Sequence, residues 1–410
     1  MASDEEKQNN QPMTQSEIDS SADADFEVAS QWRLMWWRFK KHTPAMISGI
    51  LILFLYFVAI HADFLATSSP TKSSKDYIYL PPQSVKWFQD GKFSPHTYAI
   101  EGSRNMSTFL IEYAPKKDAD GNIETIPLQF FTRGYCYKYL GFIRSDIHLL
   151  GIDLEKYKPA EFRQIPDTTC GYEIGNYSRI GLFTWGSDKL GRDLFSRMIV
   201  ATRISMSIGL LGVAITLVLG IVIGGISGYY GGIADIIIQR LIEFLNAIPT
   251  LPLWMALGAA LPLNWPIYRI YFALVVILSL LGWTGMARVV RSKFLSLREE
   301  DYVMAARLVG ASEWRVMFRH MLPGFMSYII ASTTLSIPGM IIGETSLSFL
   351  GLGLRPPAIS WGVLLQAAQN IQTIGLYPWL MMPAIAVTVA VLVFNFFGDG
   401  WRDAADPYGK

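Results

Sequence analysis

Charge, histidine and cysteine are scarce in this chain of 410 residues. Only 17% of the residues are charged while 51% are hydrophobic, and soluble domains usually carry about 25% charged residues. That balance points away from a soluble globular protein. The formal net charge is +1, which argues against nucleic acid as a partner. Among the five histidines there is no H-E-x-x-H spacing for zinc, and no G-x-x-x-x-G-K-[ST] loop exists to bind ATP. No metal and no cofactor are expected. The start lacks a short apolar core followed by a small-residue cleavage site, so no removable signal peptide is expected. Residues 1–30 are acidic and polar with Phe26 as the only aromatic, and read as a disordered cytoplasmic tail.

What the chain does have is long apolar runs. Arg33, Arg38, Lys40 and Lys41 alternate with Trp32, Trp36 and Trp37 in a basic and aromatic collar that marks a cytoplasmic interface. Ala45 to Ala62 then runs without a charge, long enough to cross the hydrocarbon core. Further spans are expected over Ile204–Ile226, Ile236–Leu261, Tyr271–Met286, Phe325–Ile342 and Trp379–Phe397. Gly220, Gly224, Gly228 and Gly232 recur every fourth residue, a spacing that lets another helix approach closely. Arg240 and Glu243, three apart on one helical face, can pair, and are expected near the cytoplasmic end facing protein.

Between the first two spans, residues 65–183 carry scattered charges, several prolines and no run long enough to cross. A folded extracytoplasmic insertion of mixed structure is expected there. Both cysteines, Cys136 and Cys170, fall inside it; they are a disulfide candidate, with two unpaired buried thiols as the alternative. Six spans leave both termini on the side of the collar. The stretch between spans four and five then also lies inside, and its Arg288, Arg291, Lys293, Arg298, Arg307, Arg315 and Arg319 form the densest basic cluster of the chain, as the positive-inside bias requires. Lys189, Arg192, Arg197 and Arg203 violate that bias, behind an insertion long enough to translocate regardless of charge.

The stretch around which the chain is organised is Asp301 to Pro323, DYVMAARLVGASEWRVMFRHMLP. It is too polar for the bilayer, yet apolar segments flank it. Two short helices with a bend are expected, with Gly310 in a left-handed conformation at the bend. A second apolar stripe, Trp314, Val316, Met317, Phe318 and Met321, follows, and Pro323 closes the second piece. The stretch resembles the "EAA" coupling loop of permease subunits of ABC importers: Ala305, Ala306, Gly310, Leu322 and Pro323 fit, and Met304 stands where the family usually has Glu. The resemblance implies that Tyr302, Ala305, Ala306, Gly310, Ala311, Leu322 and Pro323 dock into an ATPase subunit. A juxtamembrane amphipathic helix without a partner is the alternative.

A second pattern, Asp188, Gly191, Arg192, Asp193, Ser196 and Arg197, resembles the signature that precedes the second span in oligopeptide, dipeptide and nickel permeases. It reads as a short interfacial helix whose acidic and basic residues pair. The stretches SGYYGGIAD (227–235), ETSLSFLGLG (344–353) and GDGWRDAADP (398–407) are similar to segments of the second, "C" kind of oligopeptide permease. The resemblance implies an all-α polytopic membrane protein with six transmembrane helices, in four parts: residues 1–30, a collar and first span over 31–64, the insertion 65–183, and a five-helix core over 184–410 with the coupling loop at 291–323. It further implies a second homologous permease, two cytoplasmic ATPase subunits and an extracytoplasmic substrate-binding protein as partners, in the bilayer of a bacterial inner membrane. The substrate implied is a peptide, an oligosaccharide or a metal chelate. ATP hydrolysis is then expected in the partners. Two other readings stand beside it. A passive channel would not need the Asp301 loop. Gly225, Ile226, Ser227 and Gly228 match the G-x-S-G of rhomboid-type proteases, but His42, His61, His96, His148 and His320 all fall outside the expected spans, leaving Ser227 without a base.

Overall fold

In the computed structural model of the chain the described residues are 31–108, 110–118, 120–139, 141–153, 164–167, 172–175 and 181–405. The tail 1–30, Cys170 and the end of the GDGWRDAADP stretch, Asp406 and Pro407, lie outside them. The chain is mostly helical. Five helices are long and apolar enough to cross a membrane, and one bent pair makes up to six.

The collar is itself a helix, α1 (Gln31–Lys41), with Met35 and Phe39 buried and the Phe39 ring edge-on to Phe397 and Trp401. Arg38, Lys40 and Lys41 sit in its last turn, where they complement the helix dipole. The imidazole of His42 accepts from Ala45 N at 3.2 Å and so caps α2 (Thr43–Ile60), the first apolar helix. α3 (Leu194–Tyr230) follows the insertion and runs for 37 residues, ten residues beyond the expected start. Its extra turns, Leu194 to Arg203, are covered by protein rather than lipid, so hydropathy alone does not mark them.

The expected third span is broken. α4 (Gly232–Ala247) and α5 (Thr250–Ala259) meet at 82°. The cause is Pro249: the residue before a proline is pushed out of the helical region, and Ile248 is extended at φ −87 and ψ 125. Arg240 and Glu243 pair at 2.7 Å, but both side chains are mostly exposed and face out of the chain, because the single buried residue of α4 is Ile242. α6 (Ile267–Leu297) extends eleven residues past the expected Met286, α7 is Asp301–Leu308, α8 is Met326–Phe349, α9 is Trp361–Leu365 and α10 is Met382–Ala405. The main core lies among these helices, with Ile52, Met206, Leu274, Ile341, Trp361 and Phe394 in one buried cluster.

Gly220, Gly224 and Gly228 line the crossing of α3 on α6. A Cβ at Gly220 would lie 2.5 Å from Met286 Cγ, one at Gly228 2.6 Å from the Arg291 carbonyl, and one at Gly224 would overlap the Ala287 carbonyl. Gly232 does not belong to that row: it starts α4 at φ +54 with nothing within 4 Å.

The described part of the insertion is built mainly of strands, with a 3-10 turn at Lys75–Tyr77. An antiparallel sheet runs in the order β1 (Lys86–Gln89), β2 (Lys92–Tyr98), β5 (Thr125–Tyr139), β6 (Ile143–Ile152), and β3 (Ile100–Arg104) with β4 (Ile111–Pro115) forms a separate hairpin, as β7 (Gln164–Asp167) does with β8 (Tyr172–Gly175). Ala99, Ile126, Leu128, Ile152 and Leu182 make its small core. Where it leaves and rejoins the helices the two ends touch: Gln83 N donates to the Phe183 carbonyl and Phe183 N to Gln83 Oε1, both at 2.9 Å.

Candidate functional site

The Asp301–Pro323 stretch closes its first helix with a Schellman turn. Gly310 N donates to the Arg307 carbonyl at 2.9 Å and Ala311 N to the Ala306 carbonyl at 3.0 Å, the paired bonds that satisfy a helix C-terminus. Gly310 takes φ +85, which an L side chain rarely adopts. The second piece does not close at Pro323. Glu313–Arg315 passes through a π-helical turn, Val316–Met321, and a 3-10 turn, Leu322–Phe325, directly into α8. Pro323 fits because it stands in the first turn of its piece, where no N–H is required.

The loop has two faces. Val303, Val316, Met317, Met321 and Leu322 are buried in a cluster with Val290 and Phe294 of α6 and Tyr229 of α3, against which Ala306 and Ala311 also pack. This face fixes the loop to the ends of three long helices. On the other, Leu308 and Val309 are each 89% exposed and Trp314 is 51% exposed, with the Trp314 ring stacked on Phe318 at 5.4 Å. Tyr302, Ala305, Gly310 and Pro323 are exposed as well. Of the residues expected to dock, Leu322 is thus an anchor, Ala306 and Ala311 are half-buried, and four are free. The expected stripe also divides, with Trp314 and Phe318 out and the other three in. Leu308 was missed, although an apolar residue at the last position before a glycine turn has no neighbour to cover it. Two polar contacts complete the frame: Tyr230 Oη donates to Glu313 at 2.5 Å, and the Arg307 guanidinium lies 4.8 Å over the Tyr229 ring.

Behind the loop a charged junction joins α3, α4 and α6. Arg291 donates twice to Asp235, at 2.5 and 2.6 Å, and Ser227 Oγ donates to the same carboxylate at 2.5 Å. Ser227 therefore serves as a donor in an ion-pair network.

At the other end of α3 the signature residues form a clamp rather than an interfacial helix. Asp193 caps α3, accepting from Phe195 N at 3.2 Å and Ser196 N at 2.8 Å; burial pushes its carboxyl up to about 6, against those hydrogen bonds. Asp188 Oδ1 accepts from Leu190 N and Arg192 N, and Oδ2 lies 2.7 Å from two nitrogens of Arg192. Ser196 Oγ accepts from Thr67 N and Ser68 N, and Arg197 donates to the Pro70 carbonyl at 2.8 Å. Gly191, at φ +68, passes so close to the Ser74 carbonyl that any Cβ would overlap it. The clamp binds the chain leaving α2 to the start of α3.

A buried acid was also missed. Glu344, on α8, is 0% exposed and accepts from Ser205 of α3 at 3.2 Å, from Ser348 at 2.8 Å and from Ser360 at 2.7 Å. An acid inside an apolar 24-residue helix was the available signal. Among the described residues no group of three or more His, Cys, Asp or Glu could hold a metal, and no free cysteine occurs. Cys136 lies on β5, whereas Cys170 is outside the described residues.

Residues 220–408 match the family of the binding-protein-dependent transport system inner membrane component, and residues 30–82 match the N-terminal transmembrane domain of oligopeptide transport permease C. The oligopeptide transport system permease protein OppC of Bacillus subtilis is 38% identical over 224 residues, covering 54% of this chain and 71% of that protein. The chain belongs to this permease family. The dipeptide permease DppC of Lactococcus lactis is 41% identical over 55% of this chain and 64% of its own. The glutathione permease GsiD of Pectobacterium atrosepticum is 39% identical over 54% of this chain and 71% of its own. The protein is thus a multi-pass membrane permease subunit of a binding-protein-dependent ABC importer, and the relatives named are permease subunits rather than ATPases.

Proposed function

We propose that this permease forms half of a translocation path for peptides, with the exposed face of the Asp301–Pro323 loop seated in a cytoplasmic ATPase. The carrying observation is the two-faced loop: Val303, Met317 and Met321 pin it to the helix ends while Leu308, Val309 and Trp314 stand free. Tyr302, Ala305 and Gly310 would contact the ATPase directly, and Leu322 would transmit its motion. ATP binding would close two ATPase subunits, push the loop and rock the helices attached to it. A peptide is favoured as substrate because the relatives named carry oligopeptides, dipeptides or glutathione. The sequence resemblance also extends to oligosaccharides and metal chelates.

The remaining parts follow from that reading. Counting the α4–α5 pair as one span gives six, with residues 1–30 and the C-terminus cytoplasmic in a bacterial inner membrane. The insertion, bridged by Cys136 and Cys170, would face outward toward a substrate-binding protein. The exposed Arg240–Glu243 pair supports a second homologous permease, since a charged pair on a spanning helix needs protein or water beside it. Leu308→Glu with Trp314→Glu tests the docking. Burial of two such side chains is worth roughly 3 to 6 kcal/mol, so co-purification of the ATPases should collapse while membrane insertion persists. Full ATPase recovery by that double variant would sink the proposal.

A further inference from the structure

The β5–β6 hairpin is tied to the end of α2 at three points. Phe131 on β5 meets Phe64 with ring centroids 6.2 Å apart. His148 on β6 places Nδ1 2.8 Å from the Asp63 carbonyl. Tyr139, next to the tip, meets His61 at 5.7 Å, and His61 is stacked on Phe57 at 4.2 Å. Phe57 belongs to the last turn of α2 and is half exposed. The hairpin therefore lies across the end of an apolar helix, at the depth where hydrocarbon gives way to headgroups.

Its free surface suits that depth. Phe142 at the tip is 72% exposed, and Ile143 is exposed beside it. Lys138 and Arg144 face each other across the two strands, both exposed, and neither has an ion pair among the described residues. Like charges directly opposite on a sheet destabilise it. Nothing described in the chain offsets that repulsion, whereas phosphate groups would. Aromatic rings next to bases are the composition of a membrane interface.

We propose that the tip of this hairpin is a lipid-surface anchor: Phe142 and Ile143 sit in the interfacial layer, and Lys138 and Arg144 engage anionic phospholipid headgroups. Lipid is favoured over a protein partner because the surface is continuous with the open side of α2, whose apolar window is only 22% buried within the chain. The inference rests on α2 spanning the bilayer and is independent of which side the hairpin faces.

Photo-crosslinking tests it in the full-length protein, with p-benzoylphenylalanine in place of Phe142, in vesicles of phosphatidylethanolamine and phosphatidylglycerol. Lipid adducts should exceed those from the same group at Met106, on the β3–β4 turn, by about threefold or more. A yield no higher than at Met106, or a principal cross-link to another protein in cells, would overturn the anchor. Lys138→Glu with Arg144→Glu should lower adduct yield in these vesicles and leave it unchanged in pure phosphatidylcholine; equal yields in the anionic vesicles would remove the headgroup contact. The same group at Phe54, midway along α2, reports separately whether that helix is in lipid.

Discussion

Replacing Gly310 by valine separates the strength of the loop turn from the strength of the membrane core. The residue sits at φ +85 with nothing within 4 Å of the position a Cβ would take, so inside this chain the substitution meets no clash. What remains is backbone strain of roughly 1 to 3 kcal/mol. At about 1.4 kcal/mol per decade, that reduces the population of the native turn by about 5-fold to about 150-fold relative to unravelled alternatives. Two hydrogen bonds, Gly310 N to Arg307 and Ala311 N to Ala306, go with it. The buried face of the loop lies on other residues, so Gly310→Val should insert normally and keep its thermal stability in detergent. Ligand-stimulated ATP hydrolysis by the reconstituted importer should fall by a comparable factor. Gly310→Asn, whose side chain tolerates the left-handed region, should recover most of the loss. Wild-type stimulated turnover from a Gly310→Val complex would show that the turn plays no part in coupling.

Orientation is tested by Ser312→Cys in a background lacking Cys136 and Cys170, which should resist an impermeant thiol reagent in intact cells; labelling from outside reverses the topology. Mass spectrometry of the unreduced protein should find Cys136 and Cys170 joined, with reduction costing the insertion about 2 to 5 kcal/mol, and two alkylated thiols would refute the bridge. Burial pushes the His148 imidazole below its ordinary value of 6.5, its carbonyl contacts opposing only in part. The neutral ring is therefore the folded form, and its contribution to stability is complete above that value and lost as pH falls below it. Amide protection factors in β5 and β6, taken relative to the intrinsic exchange rate at each pH, should fall from about pH 7 to about pH 5, and His148→Gln should flatten the trend; an equally steep trend in the variant would exclude the histidine as its cause.

The apolar helices and the polar loop were legible because lipid imposes length and hydropathy on every segment it touches. Where protein replaces lipid, the signal weakens. Leu194–Arg203 looks polar because it is covered by the clamp. α6 continues beyond Met286 because Val290 and Phe294 are buried by the loop. The bend at Ile248 was hidden from hydropathy, which has no direction; Pro249 within the run was its mark. In the Asp301–Pro323 loop, the change from α to π geometry between Arg315 and Val316 breaks the 3.6-residue period, and periodicity could not sort Trp314 and Phe318 from Met317 and Met321. The resemblance supplied the position of the signature residues; their buried partners, at Thr67 to Ser74, lie more than a hundred residues away in sequence.

The hydrogen bonds between Gln83 and Phe183 mean that the sheet hangs from a closed base. The clamp at Asp188 to Arg197 fixes the same two strands of chain just below it, and the match to the permease N-terminal domain ends at residue 82. A domain grafted at such a point need not spread the helices. For a flexible connection the entropic cost grows only with the logarithm of length, so lengthening one from about 5 to about 100 residues costs roughly 3 kcal/mol, which the insertion's own core can offset. The junction is therefore a place where a permease of this family can gain or lose an entire inserted domain without its membrane helices being rebuilt.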